Sequence, residues 1–363
     1  MSDHGFEGDQ AQALATRLFT AGLATAELMT TYLGAKLGLY NALARSGPLT
    51  AGALAKEAGI APRYACEWLE QQAASGVLEV DDPAKAAEVR LYLLPEGHRE
   101  ALTDRESRYW ITPMAMFAIG SIARAVPDLL EAYRNGGGID PAAYGGDYRF
   151  DLSSFNCGVF RDLLPRWILT LLPDLHAAWT EGGLIADVGC GLGWSSICLA
   201  KSYPRLTIEG FDIDEGAVAL ARANAMESGV GERVTFATRD AGTLRAEGVY
   251  QTICIFDALH DMPRPVEALA ACRRALKPGG CVLLMEPNAG ETFRTPAEEG
   301  ERFLYAISLL HCLPLGLSEE HSAATGTVMR PSTLRAYAEK AGFSRVTVHA
   351  VDHRLYRLYR LFR

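Results

Sequence analysis

The feature that most constrains the fold is an apolar segment that runs directly into three closely spaced glycines. Residues 184–188 read LIADV, Gly189, Gly191 and Gly193 follow, and the helical stretch after them ends at Pro204. A tight turn between a strand and a helix is typical of the first unit of a parallel sheet covered by helices. Such sheets bind ligands beyond the carboxyl ends of their strands, so the turn marks one side of a predicted site.

Strands and helices continue to alternate after the turn. The segments are LTIEGFDID, EGAVALARANAMES, VTFATRDA, YQTICIFDALHD, VEALAACRRAL and CVLLMEPN. This order predicts an α/β fold with a doubly wound, Rossmann-like sheet. Residues that end or follow three of these strands are assigned to the same ligand site as the glycines: Asp212, Ile213, Asp240, Ala241, Phe256 and Asp257.

The residues around the turn favour a cationic ligand over a dinucleotide. Trp194 stands where the dinucleotide fingerprint has its third glycine, and the carboxylate of Asp187 before the turn opposes a phosphate. S-adenosylmethionine has a sulfonium, an ammonium and no phosphate, which suits these residues. Asp212 is placed to accept the ribose hydroxyls, and Asp240 with Ala241 to lie near the adenine amino group. A dehydrogenase that binds NAD remains the alternative for this fold.

The N-terminal part of the chain has a different pattern. Helical spacing of Leu33, Leu37, Tyr40 and Leu43 predicts a buried face on a helix that runs to about Arg45. Two short helices and two β-prone runs, GVLEV and VRLYLL, come next. Helices followed by a two-stranded ribbon predict a winged helix.

A winged helix suggests DNA binding, but the charge of this chain argues against it. In the second short helix Glu67 and Glu70 oppose Arg63, and the chain has 35 Lys+Arg against 44 Asp+Glu, a formal net charge of -9. A DNA binder needs basic residues to neutralise phosphates. The winged helix is therefore predicted to serve packing or dimerisation, with no nucleic acid as a partner.

The predicted organisation has three parts. Residues 1–105 form a helical winged-helix domain for dimerisation, and residues 106–180 form a helical connector that contributes to the acceptor pocket. Residues 181–363 form the cofactor-binding domain, with a lid insert at residues 289–330. Glycine and aromatic residues in the connector, and apolar helices in the insert, supply the candidate pocket residues Tyr144, Tyr148, Arg302, Tyr305 and His311. His311 has a competing interpretation as a core histidine.

Composition also bears on location and metals. The longest apolar stretch, ITPMAMFAIGSIARAVP, is shorter than the ~20 residues of a membrane span and contains Arg124, and the first ten residues lack a signal-peptide pattern. We expect a cytoplasmic protein without a membrane partner. The eight cysteines are scattered without a CxxC pair, so no metal site is predicted.

Four segments in order, DVGCGLG, FDID, RDA and the KPGG block with its strand, resemble the class I S-adenosylmethionine-dependent methyltransferases over about residues 184–288. With a winged helix ahead of the sheet, the chain is similar to the two-domain small-molecule O-methyltransferases of plants and bacterial secondary metabolism. The resemblance implies S-adenosylmethionine as cofactor, S-adenosylhomocysteine as product, a small-molecule acceptor and a homodimer formed through the N-terminal domain.

The resemblance also implies individual roles. FNCGV, with Phe155 and Asn156, is similar to a segment that borders cofactor and substrate in that family, and His260 of DALHDM stands at the position of the family's general base. Two positions depart from the pattern: Val159 replaces the usual Met, and Met262 replaces a common Trp. The reaction is therefore better defined than the acceptor.

The roles of the catalytic candidates have alternatives. His260 either takes a proton from a hydroxyl acceptor or only forms hydrogen bonds near the start of the next helix. Glu286, at the end of the fifth strand, either orients the base, holds the substrate or is a solvated strand end. A sulfur acceptor would need no base, and a regulator that binds S-adenosylmethionine and DNA is the alternative from another class.

The last segment, HRLYRLYRLFR, has arginines at every third position. A membrane-surface helix would need a longer amphipathic face. An edge strand protected by arginines, in a terminal hairpin with FSRVTVHAV, is the prediction.

Overall fold

The computed structural model describes residues 4–146, 148–244 and 247–363. They fall into two compact units, the first ending at Ser121 and the second beginning at Ile122. The first unit is helical with one short antiparallel ribbon. Its elements are α1 (His4–Lys36), α2 (Leu39–Ser46), α3 (Ala51–Ala58), α4 (Pro62–Ala74), β1 (Glu79–Val80), β2 (Tyr92–Leu93), α5 (Glu96–Thr103) and α6 (Thr112–Ala115).

Helices α2–α4 and the ribbon enclose the core of the first unit, which includes Leu54, Leu69 and Tyr92. The Thr50 side chain accepts a hydrogen bond from the Ala53 backbone N–H at 3.3 Å and caps α3. The predicted winged helix is confirmed by this arrangement and by the antiparallel pairing of β1 with β2.

The long buried face predicted for the first helix is wrong. Gly38 adopts a left-handed φ of 69° and separates α1 from α2. Tyr40 and Leu43 are buried in α2, whereas Leu33 and Leu37 are about half exposed. The four positions have helical spacing in the sequence, but the break at Gly38 divides them between two segments that differ in burial.

The second unit begins with helices and continues as a sheet domain. Its helices are α7 (Ala123–Asn135), α8 (Tyr148–Gly158), α9 (Leu164–Leu171), α10 (Pro173–Glu181), α11 (Trp194–Ser202), α12 (Glu215–Glu227), α13 (Pro265–Ala275), α14 (Glu299–Ile307), α15 (Leu313–Gly316) and α16 (Pro331–Lys340). Its strands are β3 (Gly183–Val188), β4 (Leu206–Asp212), β5 (Val234–Thr238), β6 (Tyr250–Phe256), β7 (Leu276–Pro287), β8 (Arg345–His349) and β9 (Tyr356–Phe362).

The seven strands have the order β5-β4-β3-β6-β7-β9-β8. Strands β3 to β7 pair in parallel, and β9 pairs antiparallel with both β7 and β8. Two apolar clusters cover opposite faces of the sheet, as expected where successive strands are buried on both sides. The predicted doubly wound, Rossmann-like sheet is confirmed, and the chain reverses its strand order between β3 and β6, next to the glycine turn.

The C-terminal arginine-bearing segment is a strand, but the prediction that it lies at the sheet edge is wrong. Strand β9 lies between β7 and β8, with Glu286 opposite Arg357. The Arg360 side chain reaches the carboxylate of Asp174 on α10 and the Cys281 sulfur. The arginines are therefore accommodated inside the sheet by acceptors on neighbouring elements, while β8 forms the edge.

A continuous helix covers residues 112–135, because the π-helical turn Met116–Ile122 joins α6 to α7. By length and composition it could cross a membrane, and 39% of its apolar window is buried. Arg124 does not interrupt it. Core helices of water-soluble proteins have the same properties, so this helix is weak evidence for a membrane span.

Candidate cofactor and acceptor site

The glycine turn after β3 has the backbone conformation that its sequence predicts. Gly189, Gly191 and Gly193 all have positive φ, at 75°, 51° and 80°. A Cβ on Gly189 would lie 2.7 Å from the Ala258 side chain, and a Cβ on Gly193 would lie 2.5 Å from the Phe236 ring. A Cβ on Gly191 would meet no atom of the described residues within 4 Å, so Gly191 faces space that a ligand can fill.

Asp187, at the end of β3, is a buried carboxylate with one oxygen in use. Its Oδ2 accepts hydrogen bonds from the Ser195 and Ser196 hydroxyls, both at 2.6 Å, whereas Oδ1 has no hydrogen-bond partner among the described residues. Burial raises the pKa of Asp187 to about 6, although the two hydroxyls act in the opposite direction. An unsatisfied buried carboxylate oxygen beside the turn fits a cationic ligand group.

Asp212, at the end of β4, ties its strand to the glycine turn. Its Oδ2 accepts from the Gly191 backbone N–H at 2.8 Å, and its Oδ1 accepts from the Asp214 N–H at 3.0 Å. Burial raises its pKa. Each carboxylate oxygen can accept a second hydrogen bond, so Asp212 retains capacity for the hydroxyls of a ribose. Ile213, the next residue, is 67% exposed and offers an apolar surface there.

Asp240 follows β5 and begins the 3₁₀ turn Ala241–Thr243. One carboxylate oxygen accepts from the Gly242 N–H at 2.7 Å, and the other pairs with Arg264 at 3.1 Å. The side chain is one-third exposed. The structure therefore brings Asp240 and Ala241 to the same sheet edge as the turn, with an arginine partner that the sequence did not indicate.

His260 and Glu286 form a buried pair at the ends of neighbouring strands. His260 lies on the 3₁₀ turn after β6, and its Nδ1 is 2.7 Å from Glu286 Oε2 near the end of β7. Glu286 Oε1 accepts the Leu259 backbone N–H at 2.8 Å. Both side chains are at most 4% exposed. Glu286 is thus a buried acceptor, and the interpretation of it as a solvated strand end is excluded.

The electrostatics of this pair favour a protonated imidazole. Burial would lower the pKa of His260, but the charges of Asp261 and Glu286 outweigh it and raise the pKa well above its usual value. Burial raises the pKa of Glu286. The proton therefore lies in the hydrogen bond between His260 and Glu286. A further positive charge nearby would lower the pKa of His260 and favour loss of its proton.

A second buried network lies at the end of β6. Asp257 has a positive φ of 54°, and its carboxylate accepts from Asn156 Nδ2 at 2.7 Å and from the Tyr356 hydroxyl at 3.1 Å. Tyr356 also donates to Asn156 Oδ1. Phe256 is buried in the core beside it. The network joins α8, β6 and β9, and Tyr356 was missed by sequence reasoning because nothing local marks a tyrosine in an alternating strand.

Tyr144, Tyr148 and His311 form an aromatic cluster. His311 Nε2 is 2.8 Å from the Tyr148 hydroxyl, its ring lies 5.1 Å from that of Tyr144, and the Tyr144 hydroxyl donates to the Leu310 carbonyl. Burial lowers the pKa of His311 to about 4, so its ring is neutral. The structure therefore brings three of the predicted pocket residues together, although Tyr144 is fully buried.

The other predicted pocket residues have different surroundings. Phe155 is half-buried on α8, and Arg302 is exposed on α14. The Tyr305 hydroxyl accepts from Arg330 at 2.9 Å, and Arg330 also donates to the Gly290 carbonyl at 2.7 Å. Arg330 thus joins both ends of the 289–330 insert, a role that sequence reasoning did not assign.

Comparison with known proteins identifies both parts of the chain. Residues 185–280 match a family described as a methyltransferase domain, and residues 24–104 match a family described as an Rv2258c-like winged HTH domain. A ubiquinone biosynthesis O-methyltransferase of Pseudomonas aeruginosa (strain UCBPP-PA14) is 30% identical over 169 residues, which are 46% of this chain and 66% of that relative.

Solved structures resemble the chain over most of its length. Human N-acetylserotonin methyltransferase, in complex with its cofactor, has a TM-score of 0.75 at 19% identity and covers 96% of this chain and 97% of its own. An O-methyltransferase from neocarzinostatin biosynthesis, with S-adenosylhomocysteine and 1,4-dihydroxy-2-naphthoic acid, has a TM-score of 0.58 at 21% identity, with coverages of 93% and 96%. At these identities the likeness concerns the fold.

The glycine turn with its unsatisfied carboxylate, the sheet topology and both family matches agree. Residues 185–280 therefore form a methyltransferase domain, and residues 24–104 ahead of it form a winged helix-turn-helix domain.

Proposed function

We propose that this protein transfers a methyl group to a hydroxyl oxygen of a small molecule, with His260 as the general base and Glu286 as the residue that positions it. The observation that carries the proposal is the buried contact of 2.7 Å between His260 Nδ1 and Glu286 Oε2. The two residues lie after β6 and near the end of β7, at the sheet edge that also holds the glycine turn.

The hydrogen bond between His260 and Glu286 determines which imidazole nitrogen can accept a proton. In the neutral ring Nδ1–H donates to Glu286, so Nε2 carries the lone pair that accepts a proton from the acceptor hydroxyl. S-adenosylmethionine, when bound, supplies the electrophilic methyl group. Asp187 and Asp212 are the residues that would hold its ammonium and ribose, and Gly191 leaves the space. Orientation of the acceptor oxygen for in-line attack supplies much of the rate.

The raised pKa of His260 is consistent with this role once the cofactor is considered. Its imidazole is surrounded by acidic groups, which favour the protonated form in the free protein. A cationic cofactor beside the pair opposes that effect, so binding favours the neutral ring that can act as a base. The pair therefore becomes competent when the methyl donor is present.

Relatives support an aromatic acceptor that carries a hydroxyl group. The two compared structures are an N-acetylserotonin methyltransferase and an enzyme with a bound dihydroxynaphthoic acid. Within the aromatic cluster Tyr148 is only partly buried, and its ring is of the kind that planar molecules stack on.

Incubation with methyl-labelled S-adenosylmethionine and matched panels of phenols, hydroxynaphthoic acids, thiols and thioethers tests the proposal. Labelled O-methyl ethers are expected, and labelled thioethers or sulfonium products with unlabelled phenols would overturn it.

The regulator alternative is weakened by the charges of the winged helix. Arg63 pairs with Glu67 one turn away, and Glu70 pairs with Arg90 at 2.6 Å, so the second short helix offers few free cations to a phosphate backbone. We propose that no nucleic acid is bound and that the protein acts in the cytoplasm. Salt-sensitive binding to duplex DNA in a gel-shift titration would contradict this.

We further propose a homodimer formed through α1. Four large apolar side chains, Leu14, Leu18, Phe19 and Leu23, are each at least half exposed on this 33-residue helix. Exposed apolar surface of this extent is typical of an interface, and a symmetric pair of copies would cover both helices. Sedimentation is expected to show a dimer at micromolar concentration, and Phe19→Glu a shift to monomer. Lys56→Glu, at an exposed position on α3, is the matched control and is expected to leave the dimer unchanged. A monomeric wild-type protein would contradict the proposal.

Cofactor affinity is expected to depend on pH through Asp187. Its folded-state pKa is raised to about 6, and the ammonium of the ligand favours the ionised carboxylate. Affinity for S-adenosylhomocysteine should therefore be fully developed above pH 7 and should fall up to about tenfold per pH unit below the pKa. Calorimetric titration between pH 5 and 8 measures this, and Asp187→Asn is expected to give weaker binding with a flatter pH profile. Equal pH dependence in both proteins would rule out Asp187 as the source.

A further inference from the structure

The Nε2 side of the His260 imidazole, opposite its contact with Glu286, lies near two other side chains that can bind a metal ion. One ligand atom each from His260, Asp261 and Cys312 lies within 4.8 Å of the other two, and this is the one such cluster found among the described residues. His260 and Cys312 are at most 4% exposed. Asp261 Oδ1 is buried and makes no hydrogen bond in the described part of the chain. We propose that this cluster is a binding site for a thiophilic divalent cation, with Zn²⁺ as its probe.

The separations suit tetrahedral coordination. His260 Nε2 lies 3.4 Å from Asp261 Oδ1. Two nitrogen or oxygen ligands at about 2.1 Å from Zn²⁺, at a tetrahedral angle, are also about 3.4 Å apart. Cys312 is the last residue of the π-helical turn that continues α14, and its sulfur lies within 4.8 Å of the ligand atoms of His260 and Asp261. Three protein ligands leave a fourth position open.

Neighbouring residues orient two of the three ligands. Glu286 binds His260 Nδ1 at 2.7 Å, so Nε2 is directed toward the cluster, and carboxylate–histidine–metal arrangements of this kind are common in zinc sites. His311 Nδ1 is 3.3 Å from the Cys312 sulfur and fixes its position from the other side. The π-helical turn Ser308–Cys312 places His311 and Cys312 at this point.

The ligand set discriminates among cations. A sulfur, an imidazole nitrogen and a carboxylate oxygen favour Zn²⁺ and similar ions, whereas Mg²⁺ prefers oxygen ligands with octahedral geometry. The Asp261 side chain is about one-third exposed, which gives an ion access from solvent. A bound cation would occupy the Nε2 lone pair, so the proposal, which goes beyond the methyl-transfer function, predicts that Zn²⁺ competes with the acceptor and not with the methyl donor.

Equilibrium dialysis of the full-length protein against micromolar Zn²⁺, followed by metal analysis, tests the site without using methyl transfer. One Zn²⁺ per chain is expected, with at least tenfold weaker binding in Cys312→Ser and in Asp261→Asn, and no comparable binding of Mg²⁺. Substitution with Co²⁺ should give a thiolate-to-cobalt charge-transfer band that Cys312→Ser abolishes. Cys272→Ser, at a buried thiol on α13 that is not part of the cluster, is the matched control and should bind as the wild type does.

Two outcomes would overturn the proposal. These are no stoichiometric Zn²⁺ binding by the wild type, or equal binding by the wild type and Cys312→Ser with both proteins folded by circular dichroism. Because dialysis does not depend on the acceptor, an enzyme that fails to methylate hydroxyls can still show the site. Conversely, an active O-methyltransferase without Zn²⁺ binding would reject the site and leave the proposed function intact.

Discussion

His260→Ala is expected to lower the rate of methyl transfer to a hydroxyl acceptor by about 10²- to 10⁴-fold, the usual contribution of a positioned general base. The physical reason is that Glu286 occupies Nδ1 of His260, so Nε2 is the ring nitrogen left to accept the proton of the hydroxyl group. Affinity for S-adenosylhomocysteine should change little, because its proposed contacts are with Asp187, Asp212 and the glycine turn. Initial rates with labelled methyl donor and calorimetric titration of the variant measure the two effects separately.

The matched control is His176→Ala. His176 is a histidine on α10 whose Nδ1 lies 3.0 Å from the Tyr203 hydroxyl, away from the sheet edge. Its removal should leave the rate of methyl transfer within a few-fold of wild type. A His260→Ala enzyme that kept its activity would identify the acceptor atom as one that needs no base, such as a thioether sulfur, and would reject the oxygen mechanism.

Gly191→Ala is expected to abolish most cofactor binding while the protein stays folded. Its φ of 51° costs an alanine about 1 kcal/mol, and the added methyl group points into the space where no described atom lies within 4 Å. If that space holds the cofactor, affinity for S-adenosylhomocysteine should fall at least tenfold, about 1.4 kcal/mol. Thermal unfolding with and without S-adenosylhomocysteine shows the loss as a smaller ligand-induced rise in Tm.

Gly229→Ala provides the comparison for backbone strain. Gly229 also has a positive φ, 72°, with nothing within 4 Å of its hypothetical Cβ, and it lies after α12. Both variants should lose similar stability, but Gly229→Ala should keep the wild-type response to ligand. Equal ligand responses in the two variants would mean that Gly191 does not border the cofactor.

Much of the sheet domain could be predicted because its signals are local. The glycine turn, the acidic residues that end strands and the alternation of strands with helices each occupy a few consecutive residues, and parallel topology then brings them to one edge. The position of β9 could not be predicted this way. An arginine at every third position is compatible with an edge strand, and only the acceptors on other elements, such as Asp174, make an interior position possible.

The surroundings of His260 also include a contact that local sequence patterns cannot predict. His260 follows β6 and Glu286 lies near the end of β7, so sequence reasoning could place them together. Cys312 reaches the same point from a π-helical turn in the insert, and no spacing in the sequence relates position 312 to position 260. An absent CxxC pattern therefore gave no information about ligands that come from separate elements.

The pairing of β7 with β9 has a consequence for how the enzyme matures during synthesis. The strand that carries Glu286 acquires its neighbour on one side only after residues 288–355, including the whole insert, have left the ribosome. Until then Tyr356 is missing from the network with Asn156 and Asp257, and the strand of Glu286 has an open edge. Long-range pairing of this kind forms late. The glycine turn can therefore assemble in the nascent chain well before the surroundings of Glu286 and Asp257 are complete.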